Sequence, residues 1–176
     1  MFLYHGTTVK RAQSIFSEGV IKCNVERHYT KEKSGNGYTE QGYIYLALEP
    51  TFSIYFANCC DHEDKSQGLV IFRIEMDETC LQPDYDEIRI QPMHDFVREK
   101  YKDDLDYSIH GLKTCRYDRD ISLDEKVSYI TIDNTQNILG LIGRVGYNFQ
   151  DTKEHYSEEQ KNFLDSIVWK SCSECL

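Results

Sequence analysis

A chain of 176 residues with 40% hydrophobic and 28% charged content has the size and make-up of one globular domain, able to bury a core without disulfides or metals. Its formal net charge of −10, with the acids spread along the chain, argues against broad nucleic-acid affinity, which rests on cationic contacts to phosphate. The same charge suits a basic partner, such as a neutralising protein.

In chain order, the opening Met1-Phe2-Leu3-Tyr4-His5 lacks the basic flank and long apolar region of a secretory signal. No apolar run approaches the roughly 20 residues that span a bilayer. The expectation is a cytoplasmic protein that does not enter a membrane. Phe2 to His5 reads as a short buried strand, with Gly6-Thr7-Thr8 as a turn and candidate helix cap. Ala12, Ile15 and Phe16 share one helical face from Val9 to Glu18, and Gly19 stops that helix. Residues 30–42 hold Lys, Ser, Gly, Asn and Thr with almost no aliphatics, which predicts a mobile loop hinged at Gly35, Asn36 and Gly37.

Tyr43 to Leu48 predicts a strand, and Pro50 opens a helix over 51–59. Alternation puts Tyr43, Tyr45 and Ala47 on one strand face and Ile44, Leu46 and Leu48 on the other. Seven cysteines at irregular spacing do not form a secreted disulfide framework. Cys59-Cys60-Asp61-His62 and the pair Cys172 and Cys175 lack the second ligand pair a structural zinc needs, so no metal site is expected. Leu69 to Met76 predicts another strand. Residues 78–111 carry no functional reading, although 93–101 has helical character. Strands at Leu112 to Tyr117 and Val127 to Asp133 follow, then a helix over 157–169 that buries Phe163, Ile167 and Trp169. Strands outnumber helices without regular alternation, which predicts an α+β fold on a split, mixed or antiparallel sheet.

Two segments carry chemistry. His5 at a strand end beside Gly6 puts an imidazole next to exposed backbone, where it can hydrogen-bond a ribose or phosphate. Tyr45 on an open strand face can stack on a planar ring, the small Ala47 leaves room beside it, and Thr51 or Ser53 reaches towards the same ligand.

The ordered pair His5-Gly6-Thr7, then Gly42-Tyr43-Ile44-Tyr45-Leu46-Ala47 with a helix bearing Ser53 and Tyr55, resembles the poly(ADP-ribose) polymerase-like branch of the ADP-ribosyltransferase superfamily. The opening Leu3-Tyr4-His5-Gly6-Thr7-Thr8 is also similar to the tRNA 2′-phosphotransferases and the DNA-modifying ADP-ribosyltransferase toxins. The likeness covers the first third of the chain; beyond it only the succession of strands matches. It implies a single ADP-ribosyltransferase-like domain over residues 1–176 that takes NAD as substrate. By that likeness His5 binds the nicotinamide-side ribose, Gly6 offers backbone groups to the carboxamide, and Thr7 shapes the pocket. Tyr45 stacks on the nicotinamide with Tyr55 opposite, Ser53 meets the carboxamide, and residues 30–42 form the lid. The family commonly places a Glu on a late strand, and the match to Glu-Tyr-Ile puts Ser128 there; Glu125 is the nearest acid. A second register puts Arg116 or Asp118 in that role, and the guanidinium of Arg116 suits a phosphate.

The implied function is transfer of ADP-ribose from NAD to a macromolecule, protein or nucleic acid, by a toxin or defence factor. Two alternatives stand beside it. One is RNA 2′-phosphotransfer using Arg11, Arg27 and Arg116. The other is a catalytically degenerate module that binds nucleotide or ADP-ribose, kept in view by Ser128.

Overall fold

The first strand stands in the middle of the sheet because both of its edges are paired. The computed structural model describes residues 1–26, 30, 38–59, 64–90, 98–133, 138–142 and 156–172. Within them the strands are β1 (Phe2–Thr8), β2 (Val20–Ile21), β3 (Ile44–Ala47), β4 (Leu69–Glu75), β5 (Thr114–Tyr117), β6 (Ile121–Ser122), β7 (Val127–Ile132) and β8 (Lys170–Ser171). The helices are α1 (Val9–Glu18), α2 (Pro50–Asn58), α3 (Tyr85–Ile90), α4 (Asp104–Asp106), α5 (Ile138–Leu141) and α6 (Glu158–Ser166). A π-helical turn, Tyr107–Leu112, continues α4.

The protein is α+β: a six-stranded sheet in the order β5-β3-β1-β4-β7-β8, plus a two-stranded sheet of β2 and β6. Every pairing is antiparallel. β1 runs against β4 from Phe2↔Glu75 to Thr8↔Leu69, and meets β3 at Tyr4↔Ala47.

Period-two alternation divides the large sheet into two faces. Leu3, Leu46, Phe72, Ile74, Cys115 and Val127 point to one side, under Ala12, Ile15 and Phe16 of α1. Phe72 is fully buried beneath Phe16, the ring centroids 5.4 Å apart; removing such a side chain from water stabilises by about 1.5–3 kcal/mol. Leu69, Ile71, Ile130 and Ile132 point to the other side, against Ile54 and Ala57 of α2 and Phe163 near the chain end.

α1 forms as its periodicity predicts, with the Thr8 Oγ1 accepting from Arg11 N–H and Gly19 ending it at φ 68°. The expected turn at Gly6-Thr7-Thr8 is absent. β1 runs on to Thr8, because β4 supplies ladder partners along its whole length. β5 begins only at Thr114, since residues up to Leu112 are helical and Lys113 turns the chain at φ 60°. α6 ends at Ser166 rather than 169; the chain then extends, setting Trp169 5.7 Å from Tyr4 and pairing β8 with β7. Most of the expected helix at 93–101, and the hinge at Gly35 to Gly37, lie outside the described residues. No helix among the described residues is long and apolar enough to cross a membrane.

Gly6 is where α2 settles on β1. A Cβ at this position would stand 2.1 Å from the Ser53 carbonyl oxygen and 3.1 Å from the Ala57 Cβ. Because the obstacle is helix backbone, no rotamer change relieves it. Gly6→Ala should therefore destabilise the protein by about 3 kcal/mol, the upper part of the usual overpacking range. Urea unfolding of the two proteins measures this, and equal midpoints would mean that α2 shifts freely.

Candidate active site

The two sequence segments fold side by side, yet they serve opposite faces of the sheet. His5 lies in register with Phe72 of β4, whose neighbour on β7 is Tyr129, all on the α1 side. Tyr45 lies in register with Arg116 of β5, on the α2 side. What joins them is the backbone: His5 Nδ1 stands 3.1 Å from the Tyr45 carbonyl oxygen. A carbonyl only accepts, so Nδ1 carries the proton of this hydrogen bond.

His5 opens into a cavity of about 470 Å³ on its own side of the sheet, within the roughly 300–1,000 Å³ of small-molecule sites. Thr7, Arg11, Ser14, Ile15 and Tyr43 line it with His5, together with Val20 and Asn24. Two carboxylates also border it. Glu18 is ion-paired with Lys22 at 2.7 Å, whereas Glu26 has no ion pair among the described residues. Gln41 Nε2 donates to Asn24 Oδ1 at 2.8 Å, which ties the approach to β3 onto the cavity wall.

On the other face, Tyr45 belongs to a buried polar cluster. Its hydroxyl donates to Asp86 Oδ2, and lies 3.1 Å from the Glu40 carbonyl oxygen. Asp86, 2% exposed, also accepts the Glu40 N–H at 2.8 Å and pairs with Arg89 at 2.9 Å. Arg89 in turn donates to the Tyr38 carbonyl and stacks on the Tyr38 ring. Residues 38–40, part of the expected mobile loop, are thus pinned to α3.

Arg116 is 4% exposed. Its Nη1 pairs with Glu40 Oε2 at 2.8 Å, and its guanidinium lies 3.8 Å from the Tyr43 ring centroid and 5.1 Å from that of Tyr85. Burial opposes its charge, but the Glu40 hydrogen bond and the surrounding groups outweigh burial and hold its pKa above the ordinary value. Its Nε has no hydrogen-bond partner among the described residues and is covered by rings instead.

The remaining predicted residues divide plainly. Gly6 and Ser53 are joined by packing: Ser53 is 1% exposed and its Oγ donates to the Pro50 carbonyl at 2.8 Å. Thr51 is buried against the Tyr156 hydroxyl, 3.2 Å away. The room expected beside Ala47 is filled by Phe52, Tyr107 and Leu112. Tyr55 rests edge-on against Phe56, and burial, helped by a hydrogen bond with Cys59, pushes its hydroxyl up to about 12. Ser128 accepts from Arg73 Nε at 3.1 Å on β7, two strands from β1 and on the face opposite His5. Glu125 is an exposed turn residue, and exposed Asp118 accepts from Gln82. Arg11 reaches the cavity; Arg27, Cys60, His62 and Cys175 lie outside the described residues.

Sequence reasoning missed Glu40, Asp84 and Asp86. An Asp just before a helix is a recognisable capping signal, and Asp84 Oδ1 does accept the Glu87 N–H at 3.0 Å at the start of α3. Nothing local ties Asp86 to Tyr45 or Glu40 to Arg116. No protein family, curated protein or solved structure matches the chain.

Asp84 supports this cluster from below. Its own N–H donates to Ser108 Oγ at 2.8 Å, and Ser108 donates to the Thr114 carbonyl beside Arg116. Burial lifts its carboxyl to about 7, despite the lowering pull of the Glu87 N–H and of Arg116. A folded pKa above the unfolded value means that its contribution to stability is full in acid and is lost as pH rises through about 7. Asp84→Asn keeps the cap acceptor without titrating. The variant should therefore gain stability relative to the wild type between about pH 5 and about pH 8, by on the order of a few kcal/mol. Urea unfolding at both pH values tests this; a difference that stays constant would show Asp84 ionising as in an unfolded chain.

Proposed function

We propose that the protein is an NAD-dependent ADP-ribosyltransferase that modifies a macromolecule, with the His5 cavity as its nucleotide site and an ADP-ribosyltransferase-like domain as its fold. The observation that carries this reading is the fixed imidazole. The Tyr45 carbonyl orients His5, and the ring borders a cavity large enough for part of a dinucleotide.

The chemistry asked of the site is modest. The bond between nicotinamide and ribose breaks, and nicotinamide leaves with the bonding electron pair. The ribose carbon passes through an oxocarbenium-like state and is taken by a nucleophile of the acceptor, which gives up its proton. The imidazole of His5, oriented by the Tyr45 carbonyl, can hydrogen-bond a ribose hydroxyl and hold the sugar in register for that displacement. Thr7 and Ser14 add hydroxyls along the same wall, and Arg11 supplies a cation for the pyrophosphate. Developing positive charge calls for an anion. Glu26 borders the cavity and is the group best placed to provide it, whereas Glu125 and Ser128 stand elsewhere.

Wild-type protein incubated with labelled NAD and cell extract should release nicotinamide and label a macromolecule. His5→Ala should lower release on the order of 100-fold, the usual loss for one oriented polar group at a transition state, while retaining the wild-type circular dichroism. Wild-type protein that releases no nicotinamide would sink the transferase assignment.

A further inference from the structure

We propose that the end of the large sheet around Arg73 is a protein-docking surface, on which the Arg73 guanidinium receives an acidic side chain of the partner. It stands apart from the nucleotide site. Arg73 and Tyr4 lie in register on the α2 side of the sheet, whereas His5 opens on the α1 side.

Alternation along β1 sets the surface up, putting Phe2, Tyr4 and Gly6 on one face. α2 settles on that face at Gly6, and at the start of the strand Phe2 is left 50% exposed. The extended chain after α6 brings Trp169 to the same place, its ring 5.7 Å from that of Tyr4. Exposed aromatic rings grouped around an arginine are the composition found at the centre of protein interfaces.

The guanidinium is held there without being neutralised. Its carbon lies 4.8 Å from the Phe2 ring centroid and 4.7 Å from that of Trp169, and Nε donates to Ser128 Oγ at 3.1 Å. Arg89, Arg98 and Arg116 each pair with a carboxylate. Arg73 has no ion pair among the described residues. Of the nearby acids, Glu75 borders a different cavity together with Lys126, and Glu49 follows β3, two strands from β4. The rings and Ser128 fix the plane of the guanidinium, so its terminal nitrogens form a fork prepared for a carboxylate. A partner's Asp or Glu supplies the missing counter-charge. A nucleic-acid strand fits less well, because it needs several cations in a row and the chain carries a net charge of −10.

Trp169 is the only tryptophan of the chain, so its fluorescence reports on this surface directly. The test is titration of the full chain with two blocked peptides, acetyl-Leu-Glu-Leu-amide and acetyl-Leu-Gln-Leu-amide. Wild type should bind the glutamate peptide about fivefold more tightly, the upper end for a half-exposed ion pair. Arg73→Gln should bind both peptides alike, which ties the preference to the guanidinium. If circular dichroism shows that variant to be misfolded, Arg73→Met takes its place, keeping an apolar stem over the rings without the charge. Equal affinity of wild type for the two peptides, or binding of neither, overturns the proposal. So does a glutamate preference that persists without Arg73, because the carboxylate would then be read elsewhere. Inorganic phosphate that displaces the glutamate peptide at lower concentration than acetate does also overturns it, since the fork would then serve a phosphate.

Discussion

The distance between α2 and β1 governs the rest of the architecture, and Gly6 sets it. With no side chain there, the Ser53 backbone descends to van der Waals contact with the strand. That contact fixes α2 above the sheet and lets Ile54 and Ala57 fill the space over Ile71. It also settles which side of β1 remains open. The α2 side is closed at Gly6, while His5 and Thr7 line the cavity on the α1 side. Flexible glycine chemistry at a ligand and tight glycine packing under a helix look alike in sequence; here the glycine packs.

A second constraint follows from putting charge under cover. Arg116 and Asp86 are both more than nine-tenths buried, and buried ions are tolerated only when their partners are fixed. Glu40, Tyr45, Arg89 and the rings of Tyr43 and Tyr85 answer that need. The result is a stiff strut between β5, α3 and the chain entering β3. Removing one member leaves another buried without its counter-charge, so the cluster should respond to mutation as a unit.

Local patterns made some of this legible. The helical face of Ala12, Ile15 and Phe16 with Gly19 beyond it defined α1, and Pro50 marked the start of α2. The alternation from Tyr43 to Leu48 assigned the faces of β3. The two-residue strands β2, β6 and β8 were not legible, because so short a segment is extended only by virtue of its partner. Nor were α3, with its mostly polar side chains, and the buried turn at Tyr107–Leu112, because segments of six residues are too short for a hydrophobic period to show. Within the candidate site, His5 was visible as a strand end, and Thr7 only as part of an expected turn. The pairing of Glu40 with Arg116 joins residues 76 positions apart, and no spacing rule reaches that far.

The segment around Gln82 has a bearing on association between chains. Gln82 exchanges both backbone hydrogen bonds with Arg116, each at 2.9 Å, on the free side of β5. β5 is only four residues long, so this single bridge occupies the middle of its outer edge. A foreign strand approaching there finds no continuous row of unpaired peptide groups to copy. The polypeptide that brings Asp84 and Asp86 to the tyrosines therefore also seals that border of the sheet, and the molecule cannot be extended from it into a larger β-assembly without first unpicking its own charged strut.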